Sequence, residues 1–326
     1  MESQRPLAGR DLGFDWPVPD NGYRWWYLDA FSDDGHAALT VIIFVGSVFS
    51  PYYFTARQRG LGNPRNFCSI NTILYGPRRR HWSMTERGAL DLVTESEAIT
   101  IGPSRVEALG ESGLRFSIEE TCAPIPSRMR GTIDVAFEYP DNECHALDAK
   151  GEHRWWPIAP HAQVSVVMEK PDVKWRGAGY LDSNAGIVPL ETSFKEWHWQ
   201  RSALSDEHGE IFYDAESITG DRRSLALRFD AAGRIHRHPE TAPQQRLRPT
   251  PIWRAPRSCR GEDVAPYQVQ TLEDSPFYAR SKLSMTGRER PHSVMHESLH
   301  LNRFKAPWMQ LLLPVRMPRR ASRMPR

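Results

Sequence analysis

The stretch "HESLH", His296 to His300, carries two histidines four residues apart with a glutamate between them. On a helix that spacing puts both imidazoles on one face, where they can bind zinc while the carboxylate activates a water. Such a helix would have to fit between Pro291 and Pro307, and the residues that follow, "LNRFKAPWMQLLLPVRMPRRASRMPR", hold no His, Asp, Glu or Cys. A third ligand would have to come from upstream. As a strand, the same residues place His296, Ser298 and His300 on one face and Met295, Leu299 and Leu301 on the other. His292, His296 and His300 also recur every four residues, so a histidine-lined face is a milder alternative. We expect a strand here and no metal.

Three other stretches concentrate unusual side chains: "GYRWWYLDAF" from Gly22, "GEHRWWPIAP" from Gly151 and "GAGYLDSNAG" from Gly177. Adjacent residues of a strand face opposite ways, so one Trp of each pair can pack while its neighbour lines a cavity. Trp25, Trp26, Tyr27 and Trp156 are therefore candidate walls for a large apolar or π-rich ligand. Each is also an ordinary core residue of a β fold, and Asp182 alone reads as a turn former.

The elements that must position these residues are strands. Ile133, Val135, Phe137 and Tyr139 alternate with polar neighbours, and the same period of two recurs at Leu114, Phe116 and Ile118, at Val164, Val166 and Met168, and at Leu225, Leu227 and Phe229. No stretch sustains a helical period. With 26 prolines and 22 glycines between short runs, the pattern predicts an all-β chain of antiparallel sandwich or barrel type. At 326 residues it suits two domains, and the turn cluster "YLDSNAGIVPLE" places a boundary near 188, giving domains 1–188 and 189–326.

A formal net charge of +2 supplies no field to recruit nucleic acid. The four cysteines are scattered without a CxxC pair and read as reduced and cytosolic. The N-terminus lacks the segments of a signal peptide. The apolar run "AALTVIIFVGSVF" is too short for a membrane helix and reads as a buried strand. The tail "VRMPRRASRMPR" has five arginines and no acid, which reads either as disorder or as a contact with anionic lipid.

In order along the chain, "TVIIFVGSVFSPYYFTAR", "MTERG", "APIPSRMRG", "HRWWPIAP", "GYLDSN", "HESLHLNRF" and "LLLPVRMPR" resemble the carotenoid 1,2-hydratases, also called hydroxyneurosporene synthases. The resemblance implies two tandem lipocalin-like β barrels or sandwiches. It implies hydration of the terminal 1,2 double bond of an acyclic carotene, such as neurosporene or lycopene, without a cofactor. It also carries the family's functional His, Trp, Tyr and Asp onto His153, Trp155, Tyr180 and Asp182. Asp182 would be the acid, its proton retained by burial; Trp155 and Tyr180 would stabilise a tertiary cation; His153 would orient the acid or accept a proton from water. An insoluble substrate implies a cytoplasmic enzyme held peripherally at the inner membrane, with other enzymes of the pathway as candidate partners. A polyene cyclase of Diels–Alderase type and a non-catalytic isoprenoid carrier are the alternatives on the same fold.

Overall fold

In a computed structural model the chain is described over residues 11–77, 79–110, 112–138, 143–203, 208–238, 242–261, 268–286 and 292–320. Tyr139, expected on a strand face, and the part of the arginine-rich tail beyond residue 320 lie outside the described residues. Two compact units divide the chain, Met1–Pro189 with Leu311–Arg326, and Leu190–Gln310. The C-terminal segment, expected with the second half, thus groups with the first.

The first unit is built on strands β1 (Tyr23–Ser32), β2 (Ala38–Val45), β3 (Cys68–Tyr75), β4 (Arg80–Met84), β5 (Leu92–Glu95), β6 (Ala98–Ile101), β7 (Ser104–Ala108), β8 (Gly113–Thr121), β9 (Arg128–Ala136), β10 (His145–Ala146), β11 (His153–Lys170) and β12 (Val173–Gly186). They form one sheet in the order β4-β3-β2-β1-β12-β11-β9-β8-β7-β6-β5, with β10 on the side of β11. Two antiparallel meanders are therefore joined by the long β11–β12 hairpin, which brings β1 beside residues more than 140 positions away. In β8 and β9 burial alternates, as the period of two predicts. In β2 and β3 every residue is buried, and β1 is nearly so. Strands enclosed on both sides read as continuous apolar or aromatic runs. The pairing of β11 with β12 shifts register between Pro157 and Ala159 and again between Ala159 and Ala162, where prolines at 157 and 160 lack the N–H a regular ladder needs.

One face of this sheet packs a core that includes Trp26, Leu28, Val41, Ile43, Trp156, Ile158, Leu181 and Ala185. Arg24 is buried on the same face, with its guanidinium 4.8 Å from the Trp16 ring centre and 5.5 Å from that of Trp156, and it donates to the Gly13 carbonyl. Helix α1 (Pro51–Gln58) starts at Ser50, whose hydroxyl accepts from the Tyr52 and Tyr53 amides.

The second unit contains β13 (Phe194–Ala203), β14 (His208–Ser217), β15 (Arg222–Asp230), β16 (Ile235–Arg237), β17 (Gln244–Leu247), β18 (Arg257–Arg260), β19 (Gln268–Asp274), β20 (Tyr278–Met285) and β21 (His292–His300). Seven pair in the order β16-β15-β14-β13-β21-β20-β19, and β17 and β18 form a hairpin of their own. Short helices α2 (Leu190–Ser193) and α3 (Leu301–Phe304) flank this sheet in sequence, and α4 (Pro307–Arg316) follows. Among the described residues no helix is long and apolar enough to cross a membrane.

After α4 the chain returns to β-structure beside Glu86. The Glu86 amide donates to the Pro318 carbonyl and the Arg320 amide to the Glu86 carbonyl, a parallel bridge between residues 86 and 319. Arg319 pairs with the buried Glu86 carboxyl and donates to the Asn66 carbonyl. The Arg316 guanidinium sits 4.0 Å over the Trp82 ring, and Arg320 donates to Thr121.

Candidate active site

The "HESLH" residues form the end of β21, a strand, so the helical geometry that zinc binding needs is not formed. His296 faces the Ser258 carbonyl at 2.7 Å, and His300 lies between Glu196 at 3.2 Å and the Pro256 carbonyl at 2.8 Å. Across the strand pair His198 shares a hydrogen bond of 2.8 Å with Ser298. Burial pushes His198 down to about 4 and His296 to about 3. Among the described residues no group of three or more His, Cys, Asp or Glu is placed to hold a metal. The cavity of about 740 Å³ at this end of the second unit is lined by Glu196, His198, Asp214, Arg257 and Arg260 among others. That lining suits a polar solute and not a polyene.

The four residues carried over from the resemblance gather on the first unit's sheet, on the face opposite its core. Along β12, Tyr180, Asp182 and Asn184 point one way, while Leu181 and Ala185 enter the core. The strand registers set three cross-strand rows: Tyr23, Gly186 and His153; Trp25, Asn184 and Trp155; Tyr27, Asp182 and Pro157. Every side chain named in these rows is buried. At their centre Asp182 Oδ2 accepts two hydrogen bonds of 2.8 Å, from Trp155 Nε1 and from the Tyr180 hydroxyl. Burial first, then the Asp182 and Asp29 carboxyls, hold the Tyr180 phenol well above its usual range. Tyr180 is therefore a donor at any working pH.

His153 stands one row from Trp155 and bonds elsewhere: its Nδ1 lies 2.9 Å from the Tyr23 hydroxyl. Burial pushes this imidazole down to about 4, against the pull of Asp148, so it is neutral at pH 7. Gly186 separates the two rings in sequence register, and a Cβ there would come within 2.4 Å of Tyr23 and 2.8 Å of His153 Nδ1. Gly186→Ala is expected to drive this pair apart, costing ~1–3 kcal/mol of stability by overpacking, measurable by urea denaturation, and lowering turnover without touching Asp182.

Of the candidate wall residues, Trp25 and Tyr27 stand on the Asp182 face. Tyr27 meets Tyr180 edge-on at 6.3 Å, and Trp25 stacks on Tyr23 at 4.9 Å. Trp26 and Trp156 belong to the core on the other side, where Trp26 donates to the Leu12 carbonyl at 2.9 Å. The reason is the pleat: both are paired with Ser183, one step out of register from Asp182. Three further residues escaped the sequence reading. Tyr23 orients His153, His145 meets the Trp155 ring at 5.5 Å, and Asp29, fully buried, pairs across the ladder with Tyr180. Strand alternation in "YRWWYLD" links Tyr23, Trp25, Tyr27 and Asp29 on one face, a signal available before the fold.

Known proteins place the chain. It is 46% identical over 309 residues to an acyclic carotenoid 1,2-hydratase of Thiocapsa roseopersicina, covering 94% of this chain and 75% of that one. It is 42% identical to the protein of that name from Rubrivivax gelatinosus, over 94% of this chain and 76% of the relative, and 34% identical to that of Cereibacter sphaeroides, over 86% and 98%. Among solved structures, one assigned as AttH from Nitrosomonas europaea aligns with a TM-score of 0.58 at 14% identity, covering 91% of this chain and 99% of that one. The likeness is of fold, and the all-β architecture is lipocalin-like. Residues 41–326 match the family model described as carotenoid hydratase CrtC, and the chain belongs to that family.

Proposed function

We propose that the protein is a hydro-lyase that adds water to the terminal 1,2 double bond of an acyclic carotene such as neurosporene or lycopene, with Asp182 as the acid. One observation carries the mechanism: Asp182 Oδ2 takes hydrogen bonds from both Trp155 and Tyr180. With Oδ2 occupied as the acceptor, the acid proton resides on Oδ1, and the carboxyl is held in one orientation by two donors that themselves sit on a rigid sheet.

An isolated alkene is a weak base, so a neutral acid in a desolvated site is needed to protonate it. Transfer from Asp182 to the less substituted carbon forms one C–H bond and leaves the charge on the tertiary carbon. The aromatic faces of Trp155, Trp25 and Tyr27 attract that cation without trapping it, at up to ~2 kcal/mol each when desolvated. Water then forms the C–O bond and surrenders a proton to the carboxylate of Asp182, which restores the acid. The sum is alkene plus water to tertiary alcohol. The Asp182 proton makes the round trip, and the chemistry is acid–base throughout. His153, bonded to Tyr23, shapes the end of the aromatic face and stays neutral down to about pH 4. Such a substrate is delivered from lipid, which places the enzyme at the cytoplasmic surface of the inner membrane.

Mass analysis of pigments from cells that accumulate lycopene or neurosporene and express this chain tests the reading. Gain of one or two waters is expected. Unmodified pigment beside folded protein would replace hydration with carriage, and an isomer of unchanged mass would point to cyclisation.

A further inference from the structure

Helix α4 presents an apolar stripe to the outside. Trp308, Leu311, Leu312 and Val315 stand at i, i+3, i+4 and i+7 and are 47%, 78%, 44% and 62% exposed, while Met309 and Leu313 on the other side are buried. This inverts the usual surface helix, whose apolar stripe faces the core. Trp253, itself 40% exposed, stacks on Trp308 with ring centres 6.0 Å apart, and Ile252 beside it is 74% exposed. From residue 301 to the C-terminus the sequence holds seven Lys or Arg and no Asp or Glu. An exposed apolar face, tryptophans at its margin and basic residues without acids on both sides in sequence are the features of a helix that lies in the plane of a membrane surface.

We infer that α4 is the lipid-docking element of this protein, its Trp308–Leu311–Leu312–Val315 stripe entering the headgroup region of an anionic phospholipid bilayer. The inference rests on the reading of a lipid-dissolved substrate, and it moves the contact from the arginine-rich tail to the helix before it. Three of the tail's arginines are used within the fold, Arg316 on Trp82, Arg319 on Glu86 and Arg320 on Thr121. The stripe supplies apolar area, and the basic surroundings supply an attraction that weakens with salt.

The test is sedimentation of the full chain with mixed phosphatidylcholine–phosphatidylglycerol vesicles, with pure phosphatidylcholine vesicles for comparison. Leu311→Glu should weaken binding to the mixed vesicles by about tenfold, and Leu311→Glu with Val315→Glu should abolish it. Leu90→Glu, at a residue 71% exposed elsewhere in the first unit, should leave binding unchanged. Leu311→Ser provides a milder variant should the double change fail to fold. Hydration of detergent-dispersed carotene is measured in parallel and should be unaffected by any of these changes. Vesicle binding that survives the α4 substitutions, or a wild-type protein that ignores the mixed vesicles, overturns the docking inference and leaves the hydratase reading standing. A change in oligomeric state with vesicle binding intact also overturns it and makes the stripe a contact between copies. Absence of hydration in detergent by the wild type defeats the hydratase reading, while the vesicle measurement still decides the stripe.

Discussion

Asp182→Asn is expected to leave a folded protein that hydrates carotene roughly 10³-fold more slowly than the wild type. The amide is nearly isosteric and its carbonyl can still accept from Trp155 and Tyr180, so the local packing survives. What it lacks is a transferable proton. Tyr180→Phe is expected to cost far less, about 10- to 100-fold, because it removes one of two donors that orient the acid and leaves the acid itself. Rates from pigment extracts or detergent assays, set beside the circular dichroism of each variant, check both. Equal losses for the two would make the hydrogen-bonded pair the catalytic unit and would count against Asp182 acting alone. Turnover undiminished in Asp182→Asn would favour cyclisation, which needs cavity shape and no acid.

The largest effect on stability is expected at Arg319→Ala. Glu86 is fully buried, and burial pushes its carboxyl up to about 7 even though Ser50 and Arg319 both favour the charged form. A folded-state value above the unfolded one means that the group contributes most stability below about pH 4.5, where it is protonated in both states. That contribution is lost as pH rises through about 7. Removing Arg319 takes away the attraction that limits the loss. Breaking a buried pair costs ~3–5 kcal/mol; with the Arg319 side chain about a third exposed, water can replace part of it, and ~2–3 kcal/mol is expected near pH 8. Urea denaturation at about pH 5 and about pH 8 should show the penalty growing with pH. Adding Glu86→Gln should remove the pH dependence. A penalty independent of pH would assign Arg319 a packing role, against the Phe67 ring 4.7 Å away, and not an electrostatic one.

Much of the β architecture could be read from periodicity, and where it could not the reason is burial. Strands β8 and β9 face a core on one side only, so Leu114, Phe116, Ile133 and Val135 alternate with polar residues. Strands β1 and β2 are covered on both sides, and their runs of aromatic and aliphatic residues carry no phase to say which side chain faces where. Two candidate wall residues, Trp26 and Trp156, are consequently core residues, and only the register with Ser183 separates them from Trp25 and Trp155. His153, Trp155, Tyr180 and Asp182 are named by the resemblance of "HRWW" and "GYLDSN" to the hydratase motifs, and the fold sets those two motifs on the adjacent strands of one hairpin. Alternation along β1 ties Tyr23 and Asp29 to Trp25 and Tyr27, but β1 joins that hairpin across more than 120 residues and nothing local in its sequence says that this face lies beside Asp182. In the arginine-rich tail, Arg316, Arg319 and Arg320 are tied into the first unit, and their three-residue bridge to Glu86 is too short to leave a pattern in the sequence.

That bridge also has a bearing on how the protein is made. Glu86 and Arg319 are 233 residues apart in the chain, and a ribosome adding 5–20 residues per second needs roughly 10–50 s to travel between them. Once residue 186 has been made the first unit has its sheet residues, but it still lacks the backbone partners at 318 and 320 and the guanidinium that faces its buried carboxyl. The second unit, contiguous from 190 to 310, is fully synthesised in between. Closure of the first unit thus waits until the second has been synthesised, and a chain that stopped before residue 316 would leave the buried Glu86 carboxyl without its guanidinium partner.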